Sequence, residues 1–250
     1  MMTRIKTAAE IQAMRESGRM LASVLNYLSG LVQPGVTTKY LAENAKQELQ
    51  RLGGQPSFLG YYDYPDVLCV SVNDEVVHGI PRTDHIVKNG DLVSLDFGVT
   101  YRGMITDAAV SQVAGSASGQ VQALVTATER ALMAGISVIR GPTHIGDIAA
   151  AVQAVLDKGR YGIVRDLVGH GVGHALHEEP NIPNYGKKGT GTLLVPGMTV
   201  AIEPMATLGR YEIRTDSDGW TIRTKDGSLA AHFEHTVLIT EDSAEILTTL

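Results

Sequence analysis

A chain of 250 residues with 44% apolar and 19% charged residues can bury a large core and lacks the composition typical of disorder. The net charge of −6, without a cluster of Lys and Arg, argues against a nucleic-acid-binding surface. No apolar run reaches the roughly 18 residues that a membrane helix needs, and the N-terminus lacks an apolar signal core. We therefore expect a cytoplasmic protein. The single Cys69 excludes an internal disulfide and suits a reducing compartment.

The first part of the chain predicts two helices followed by strands. Thr7 and Glu10 form a capping box, and the apolar residues after them recur at helical spacing until Gly30. A second amphipathic helix is predicted over residues 38–52, where two glycines end it. From residue 61 the apolar period changes to two, which predicts strands over residues 67–72, 76–78, 92–99 and 100–113, with turn signals at 73–74 and at Arg102.

The second part repeats this plan after a linker of small residues over 115–119. Helices are predicted first, then a stretch rich in Gly and His, then strands over residues 194–204, 212–215, 221–224 and 228–240. The helices cover residues 120–139 and 145–158. Because helix, helix and strands recur in the same order, we expect one domain over 1–250 with pseudo-repeat halves at about 1–115 and 119–250.

Each half carries two acidic residues inside apolar strands. Asp96 and Glu203 each follow a glycine by six residues, and Asp107 and Glu234 offer a second strand-borne acid in each half. A pseudo-twofold arrangement of the halves would bring all four carboxylates to one central place.

Four buried carboxylates in one place need compensation. Two such charges about 4 Å apart repel by roughly 4 kcal/mol at a realistic effective dielectric constant, and a buried carboxylate is costly unless it is paired or binds a metal. Ion pairs are the ordinary alternative, but Lys and Arg are absent from these strands until Arg102. Four protonated carboxylates would be unusual. Two divalent cations balance the charge, and oxygen ligands with one imidazole favour manganese, iron or cobalt.

A glycine-rich stretch over residues 168–180 contains His170, His174 and His177. Imidazole is a common metal ligand, and glycine lets the backbone approach a ligand closely, although an incidental loop is the alternative for this stretch alone. This stretch and the acidic residues belong to a series of short motifs that follow one another along the chain. In order they are CVSVN (69–73), HGIP (78–81), DFG (96–98), Asp107, GHGVG (169–173), HEEP (177–180), EPM (203–205) and EHT (234–236). Together these motifs, which span nearly the whole chain, resemble the methionine aminopeptidases of the type I, bacterial-like form.

The resemblance implies an α+β pita-bread fold, a curved and mostly antiparallel sheet with helices on its outer face and two pseudo-twofold-related halves. It also implies a centre of two divalent metal ions, cobalt, manganese or iron. By the same resemblance Asp96 and Asp107 bind one ion, and His170 and Glu203 bind the other. Asp107 and Glu234 bridge the two ions.

The implied activity is removal of the initiator methionine from nascent proteins when the second residue is small. A hydroxide that bridges the ions attacks the carbonyl after the methionine, and Glu203 relays its proton to the leaving amine. His78 and His177 hold the substrate amide and stabilise the tetrahedral intermediate. The free α-amino group binds a metal, which explains the release of a single residue. The methionine pocket comprises Phe58 at the rim together with Tyr61, Tyr64, Cys69, Leu176 and Trp220.

The chain departs from the family pattern near these residues. Leu176 replaces the usual aromatic residue, Leu167 replaces an aromatic residue or methionine, and Thr106 precedes Asp107 where glycine is common. These departures leave the ligands intact and bear on the shape of the pocket and on the tolerated second residue. Ordinary core packing is the alternative for each pocket residue taken alone, above all for Tyr64 and Cys69.

For the remaining histidines the sequence predicts no part in the reaction. We expect His85 in a surface loop and His144 at the start of a helix. His235 follows Glu234 on a strand and therefore points to the opposite face. His174 and His232 have no assigned role. Each either supports a residue of the centre or only lies near it.

Three alternatives differ from this interpretation. A pita-bread hydrolase of the Xaa-Pro aminopeptidase or creatinase type carries a sizeable N-terminal domain, whereas here the motif strands begin near residue 66. A type II enzyme has a long insertion that the spacing from His170 to Glu203 does not accommodate. A non-catalytic binding protein of the same fold is disfavoured because the ligand set is complete. We expect a monomer that acts on nascent chains, and any ribosome contact would use the domain surface.

Overall fold

Residues 3–250 of the computed structural model contain four α-helices, which are α1 (Ala8–Ser29), α2 (Thr38–Leu52), α3 (Gly119–Ser137) and α4 (Ile145–Gly159). The capping box at the start of α1 is confirmed, because the Thr7 hydroxyl accepts from the Glu10 amide while the Glu10 carboxylate accepts from the Thr7 amide at 2.7 Å. In this described part of the chain no helix has the length and apolar content required to cross a membrane.

The strands are short except for one long hairpin. In chain order they are β1 (Gln55–Pro56), β2 (Cys69–Val72), β3 (Glu75–Val77), β4 (Leu92–Tyr101), β5 (Met104–Val113), β6 (Thr143–His144), β7 (Gly162–Ile163), β8 (Gly169–Gly171), β9 (Glu178–Ile182), β10 (Leu193–Leu194), β11 (Thr199–Ile202), β12 (Met205–Thr207), β13 (Ile213–Thr215), β14 (Ile222–Thr224), β15 (Ala230–His232), β16 (Glu234–Ile239) and β17 (Ala244–Ile246). A 3₁₀ turn covers Tyr61–Asp63. The turn predicted at Arg102 is confirmed as the tip of the β4–β5 hairpin, where Arg102 and Gly103 both have positive φ.

Nine strands form the main sheet. Its path runs β1-β4-β5-β16-β11-β8-β9, with β2 added to β4 and β17 added to β16. Every pairing in it is antiparallel. Helices and an antiparallel sheet in one chain confirm the predicted α+β class.

Two apolar clusters fill the space between helices and sheet. One joins α1 and α2 to β2 and β4, and its buried members include Leu21, Leu28, Leu41, Leu49, Val70, Val93 and Leu95. The other joins α3 and α4 to β11 and β16, and includes Leu124, Leu132, Ile148, Val152, Val200, Ile202 and Val237. The division into one domain with two halves stays a prediction, and this pair of clusters, each under one helix pair, is what supports it.

The strand prediction was wrong where it joined separate strands. The segment 194–204 contains β10 and β11 with a turn between them, in which the Met198 amide donates to the Val195 carbonyl at 3.1 Å. The segment 228–240 is interrupted at Phe233, so that β15 pairs with β12 while β16 joins the main sheet. The alternation of apolar residues continues through such breaks. It indicates which side chains are buried, but it does not indicate which strand each segment pairs with.

Substituting Gly18 with Ala should destabilise the fold, because a Cβ at this position of α1 would collide with the backbone carbonyl of Leu247. Backbone cannot move aside cheaply, so we expect a loss of about 1–3 kcal/mol in the free energy of unfolding. Urea denaturation monitored by circular dichroism measures it. Gly119→Ala is the matched control in open space, where alanine should stabilise by about 0.4–1 kcal/mol. A Gly18 variant as stable as the control would contradict the packing described here.

Candidate metal centre and substrate cavity

Strand register brings three of the predicted ligands to one face of the sheet. Asp96 of β4 and Glu234 of β16 both stand opposite Ala109 of the intervening β5. Asp107 lies two residues before Ala109, so it shares the strand face. The three carboxylates are therefore neighbours by register.

The other two ligands come from the adjoining strands. His170 of β8 stands opposite Ala201 of β11, and Glu203 follows Ala201 by two residues. The Nε2 atom of His170 lies 3.4 Å from Oε1 of Glu203. Nδ1 of the same ring lies 2.9 Å from the Gly171 carbonyl and donates to it, which leaves the Nε2 lone pair directed into the centre. The structure thus brings all five predicted ligands together.

Within residues 3–250, none of the four carboxylates forms an ion pair with Lys or Arg. Their charge partners are the imidazoles of His170 and His232. One oxygen each of Asp96, Asp107 and Glu234 is buried without a hydrogen-bond partner. Ligand atoms of Asp107, His170 and Glu234 lie within 4.8 Å of one another. Unpartnered oxygens around one imidazole fit divalent metal ions.

Burial shifts the protonation of this centre in opposite directions for acids and imidazoles. Burial raises the pKa of Asp107 to about 7. The pKa values of Glu203 and Glu234 are also raised, first by burial and then by the neighbouring carboxylates. Burial, and then His177, lowers the pKa of His170 to about 3. His170 is therefore neutral at physiological pH, the form in which imidazole binds metal.

Two further predicted histidines face the same cavity. His177 lies beside His170, with ring centroids 4.3 Å apart, and its Nδ1 atom is 2.8 Å from the Tyr61 hydroxyl. His78 follows β3 with a positive φ of 59°, an uncommon conformation for a residue with a side chain. Its ring packs against Trp220 at a centroid distance of 6.1 Å. Burial, and then the charge of His177, lowers the pKa of His78 to about 4.

An apolar pocket adjoins the two histidines. The Tyr64 ring meets Trp220 edge-on at 5.1 Å, and its hydroxyl donates to the Gly79 carbonyl at 3.1 Å. All residues predicted for the methionine pocket line the same cavity as the five ligands, and they are Phe58, Tyr61, Tyr64, Cys69, Leu176 and Trp220. Val77 also lines it and was not predicted from the sequence.

Sequence reasoning left His232 without a role, and the structure places it at the centre. Its side chain is only 2% exposed, and Nε2 lies 3.5 Å from Oε2 of Glu203 and 3.9 Å from Oε2 of Glu234. The signal that could have found it is the alternation of a strand. His232 precedes Glu234 by two residues, the spacing that puts side chains on one face.

The remaining histidines lie outside the cavity lining. His174 binds the Glu10 carboxylate at the start of α1 through Nε2 at 2.8 Å. His235 approaches the Thr248 hydroxyl through Nδ1 at 2.9 Å, and His144 is the residue before α4. The predictions for His235 and His144 are therefore confirmed.

A carboxylate–imidazole cage on a predominantly antiparallel sheet is typical of a metal-dependent hydrolase. Comparison with known proteins makes the class more specific, since the model for metallopeptidase family M24 matches residues 12–241. The chain belongs to this metallopeptidase family.

Similar proteins match over the full chain. Methionine aminopeptidase of Clostridium perfringens is 41% identical over 244 residues, which cover 98% of this chain and 98% of that protein. The crystal structure of methionine aminopeptidase from Thermotoga maritima superposes with a TM-score of 0.98 at 43% identity, covering 100% of both chains. Prolidase from Pyrococcus furiosus shares the fold, with a TM-score of 0.78 at 22% identity over 98% of this chain and 65% of that one. The pita-bread fold predicted from the sequence is confirmed.

In the metal-free protein the stability that Asp107 contributes should fall as the pH rises from about 4 to about 7, whereas the buried histidines, whose pKa values are lowered, titrate in the opposite sense. Asp107 ionises near 4 in the unfolded chain and near 7 in the fold. The folded state therefore binds the extra proton in this window, and its advantage disappears with rising pH. The difference in the free energy of unfolding between the wild type and Asp107→Asn, measured by urea unfolding in a chelator, should therefore change by on the order of a few kcal/mol between pH 5 and pH 7.5.

Asp107→Asn should remove only the contribution of this carboxyl group, since the raised pKa values of Glu203 and Glu234 remain, whereas Asp166→Asn, at an exposed position, should keep the pH profile of the wild type. An unchanged pH profile in the Asp107 variant would show that the burial of this carboxyl group does not set the titration.

Proposed function

We propose that the protein is a methionine aminopeptidase that removes the initiator methionine from nascent polypeptides whose second residue is small. The observation that carries the proposal is the cavity itself, in which a cage of four carboxylates and one imidazole adjoins an apolar pocket. Full-length similarity to proteins named methionine aminopeptidase supports it. In such an enzyme the pocket selects the first side chain and the cage performs the hydrolysis.

The cage would hold two divalent ions, either cobalt, manganese or iron. Asp96 and Asp107 would bind one ion, His170 and Glu203 the other, and Asp107 and Glu234 would bridge them. When bound, the ions supply Lewis acidity and an activated water. The ring of His170 is prepared for this task, because its Nδ1–H is already engaged with the Gly171 carbonyl.

The pocket would bind the methionine side chain. Phe58, Tyr64, Cys69 and Leu176 form a buried apolar cluster, with Trp220 packed against it. Aromatic and thiol surfaces make favourable contacts with a thioether. Because the carboxylates line the same cavity, the free α-amino group of the substrate would face them, and one residue would be released at a time.

His177 and His78 would stabilise the negative charge that develops on the carbonyl oxygen of the scissile bond. The Tyr61 hydroxyl lies on Nδ1 of His177 and, as donor, leaves the ring hydrogen on Nε2. Burial keeps His78 neutral, with one N–H to donate. Donors fixed before the reaction stabilise an oxyanion without reorganisation.

Glu203 would move the proton of the reaction. Its Oε1 faces His170, the partner ligand, and this leaves Oε2 free to accept a proton and deliver it to the leaving amine. In the metal-free centre its burial, and then the charges of Asp96 and Asp107, raise its pKa.

The cellular setting belongs to the same proposal. We place the protein in the cytoplasm as a monomer, where nascent chains present their N-termini. Any contact with the ribosome would use the surface of the folded chain, without membrane or direct nucleic-acid binding. The net charge of −6 supports the last point.

Chelation should abolish release of methionine from a Met-Ala-Ser peptide, and Mn²⁺ or Co²⁺ should restore it. The carboxylates need the ions both for charge balance and for activation of water. Free methionine measured by chromatography reports the reaction. A Leu-Ala-Ser peptide is the matched substrate control for the pocket.

Absence of methionine release with manganese, cobalt or iron would refute the enzyme assignment. Hydrolysis of Xaa-Pro peptides with Met-Ala-Ser untouched would instead favour an Xaa-Pro aminopeptidase on the same fold.

Glu203→Ala should abolish turnover of Met-Ala-Ser, because the variant loses both a ligand and the proton carrier. General acid–base catalysis alone accounts for about 10²–10⁴-fold in rate. Steady-state kinetics measure the loss of turnover. Glu241→Ala, at an exposed position, is the control. A near-normal rate in the Glu203 variant would mean that another group carries the proton.

A further inference from the structure

His232 is a buried imidazole to which the proposed reaction assigns no task. It is 1% exposed, and neither ring nitrogen has a hydrogen-bond partner among residues 3–250. Buried polar atoms in folded proteins are normally satisfied, so an unpartnered pair of ring nitrogens indicates an interaction that forms during function.

The backbone fixes where this ring lies. His232 stands opposite Met205 in the β15–β12 ladder, two residues beyond Glu203. The His232 amide donates to the Ser111 hydroxyl at 2.8 Å, and that hydroxyl donates to the His232 carbonyl at 2.7 Å. The proximity of His232 and Glu203 is therefore imposed by strand pairing and is independent of any one side-chain rotamer.

The two oxygens of Glu203 face different imidazoles. Oε1 lies 3.4 Å from Nε2 of His170, and Oε2 lies 3.5 Å from Nε2 of His232. In the proposed function His170 and Oε1 serve one metal ion, so Oε2 is the oxygen that carries the proton. A neutral imidazole has one N–H to donate, and Nε2 of His232 stands opposite Oε2.

We propose, on the basis of the proposed function, that His232 is a positioning residue whose Nε2–H donates to Oε2 of Glu203. A movement of about half an ångström brings the two atoms to ordinary hydrogen-bond distance. The bond fixes the carboxylate plane, so that Oε2 points at the reacting amide while Oε1 remains a ligand. Partners of this kind orient metal-binding carboxylates and their removal costs about 10–100-fold in affinity or activity.

Replacement of His232 by Leu and by Gln tests the assignment. With Met-Ala-Ser, His232→Leu should lower kcat by about 10–100-fold and leave KM nearly unchanged, because the methionine pocket is untouched. His232→Gln should restore most of kcat, since its amide offers an N–H at a similar reach. His144→Gln, outside the cavity, is the control, and thermal unfolding shows whether each variant is folded.

Two readouts separate this role from the alternatives. In the Zn²⁺-loaded protein, ¹⁵N spectroscopy of the imidazoles should show the hydrogen of His232 on Nε2, a result that needs no turnover. Pulsed EPR of the Mn²⁺-loaded protein should count one bound imidazole in both the wild type and His232→Gln.

Three results would overturn the proposal. The first is an equal kcat in His232→Leu and the wild type, and the second is a ¹⁵N spectrum that places the hydrogen of His232 on Nδ1. The third is a second bound imidazole in the EPR spectrum of the wild type that His232→Gln loses, which would make His232 a ligand. If the wild type releases no methionine with any metal, the proposed function fails. The location of the ring hydrogen then still decides whether His232 donates to Glu203.

Discussion

Mutual repulsion among four buried carboxylates is the constraint on which the rest of the structure depends. At an effective dielectric constant of about 20, two charges about 4 Å apart repel by roughly 4 kcal/mol, and the centre has no Lys or Arg partner within the described residues 3–250. A sheet whose register forces Asp96, Asp107 and Glu234 onto one face can tolerate this only with protons or cations. Burying these carboxylates together is therefore costly in the metal-free state, and cations bound in the proposed centre would relieve that cost.

The N-terminal segment stabilises the loop that carries His177. Lys6 forms a buried ion pair with Glu178 at 3.1 Å, and Glu10 binds His174 at 2.8 Å. One oxygen of Glu178 also accepts the amides of His174 and Ala175 at 2.7 and 2.9 Å. These contacts fix both sides of the short segment from which His177 enters the cavity, so the start of the chain contributes to the geometry of a site it does not line.

The sequence predicted which acidic and histidine side chains come together better than it predicted the strands that carry them. An acid inside an apolar strand without a basic neighbour is a local signal, and Asp96 and Glu234 could be found from it together with the resemblance. The interruption at Phe233 and the pairing of β8 depend on contacts between distant segments, which alternation of apolar residues does not encode. Alternation could place His232 on the same face as Glu234, but its closeness to Glu203 depends on the ladder that pairs it with Met205.

Histidines of identical chemistry acquire different roles from the partner of one ring nitrogen. In His170 the Gly171 carbonyl accepts from Nδ1 and leaves a lone pair on Nε2, whereas in His177 the Tyr61 hydroxyl lies 2.8 Å from Nδ1 and, as the donor in the proposed function, would leave the ring hydrogen on Nε2. His174 is bound by a carboxylate outside the cavity and serves the loop. A glycine-rich motif with three histidines thus specifies composition, and in the proposed function the partner atoms that the fold supplies would decide which imidazole binds metal, which faces substrate and which holds the structure.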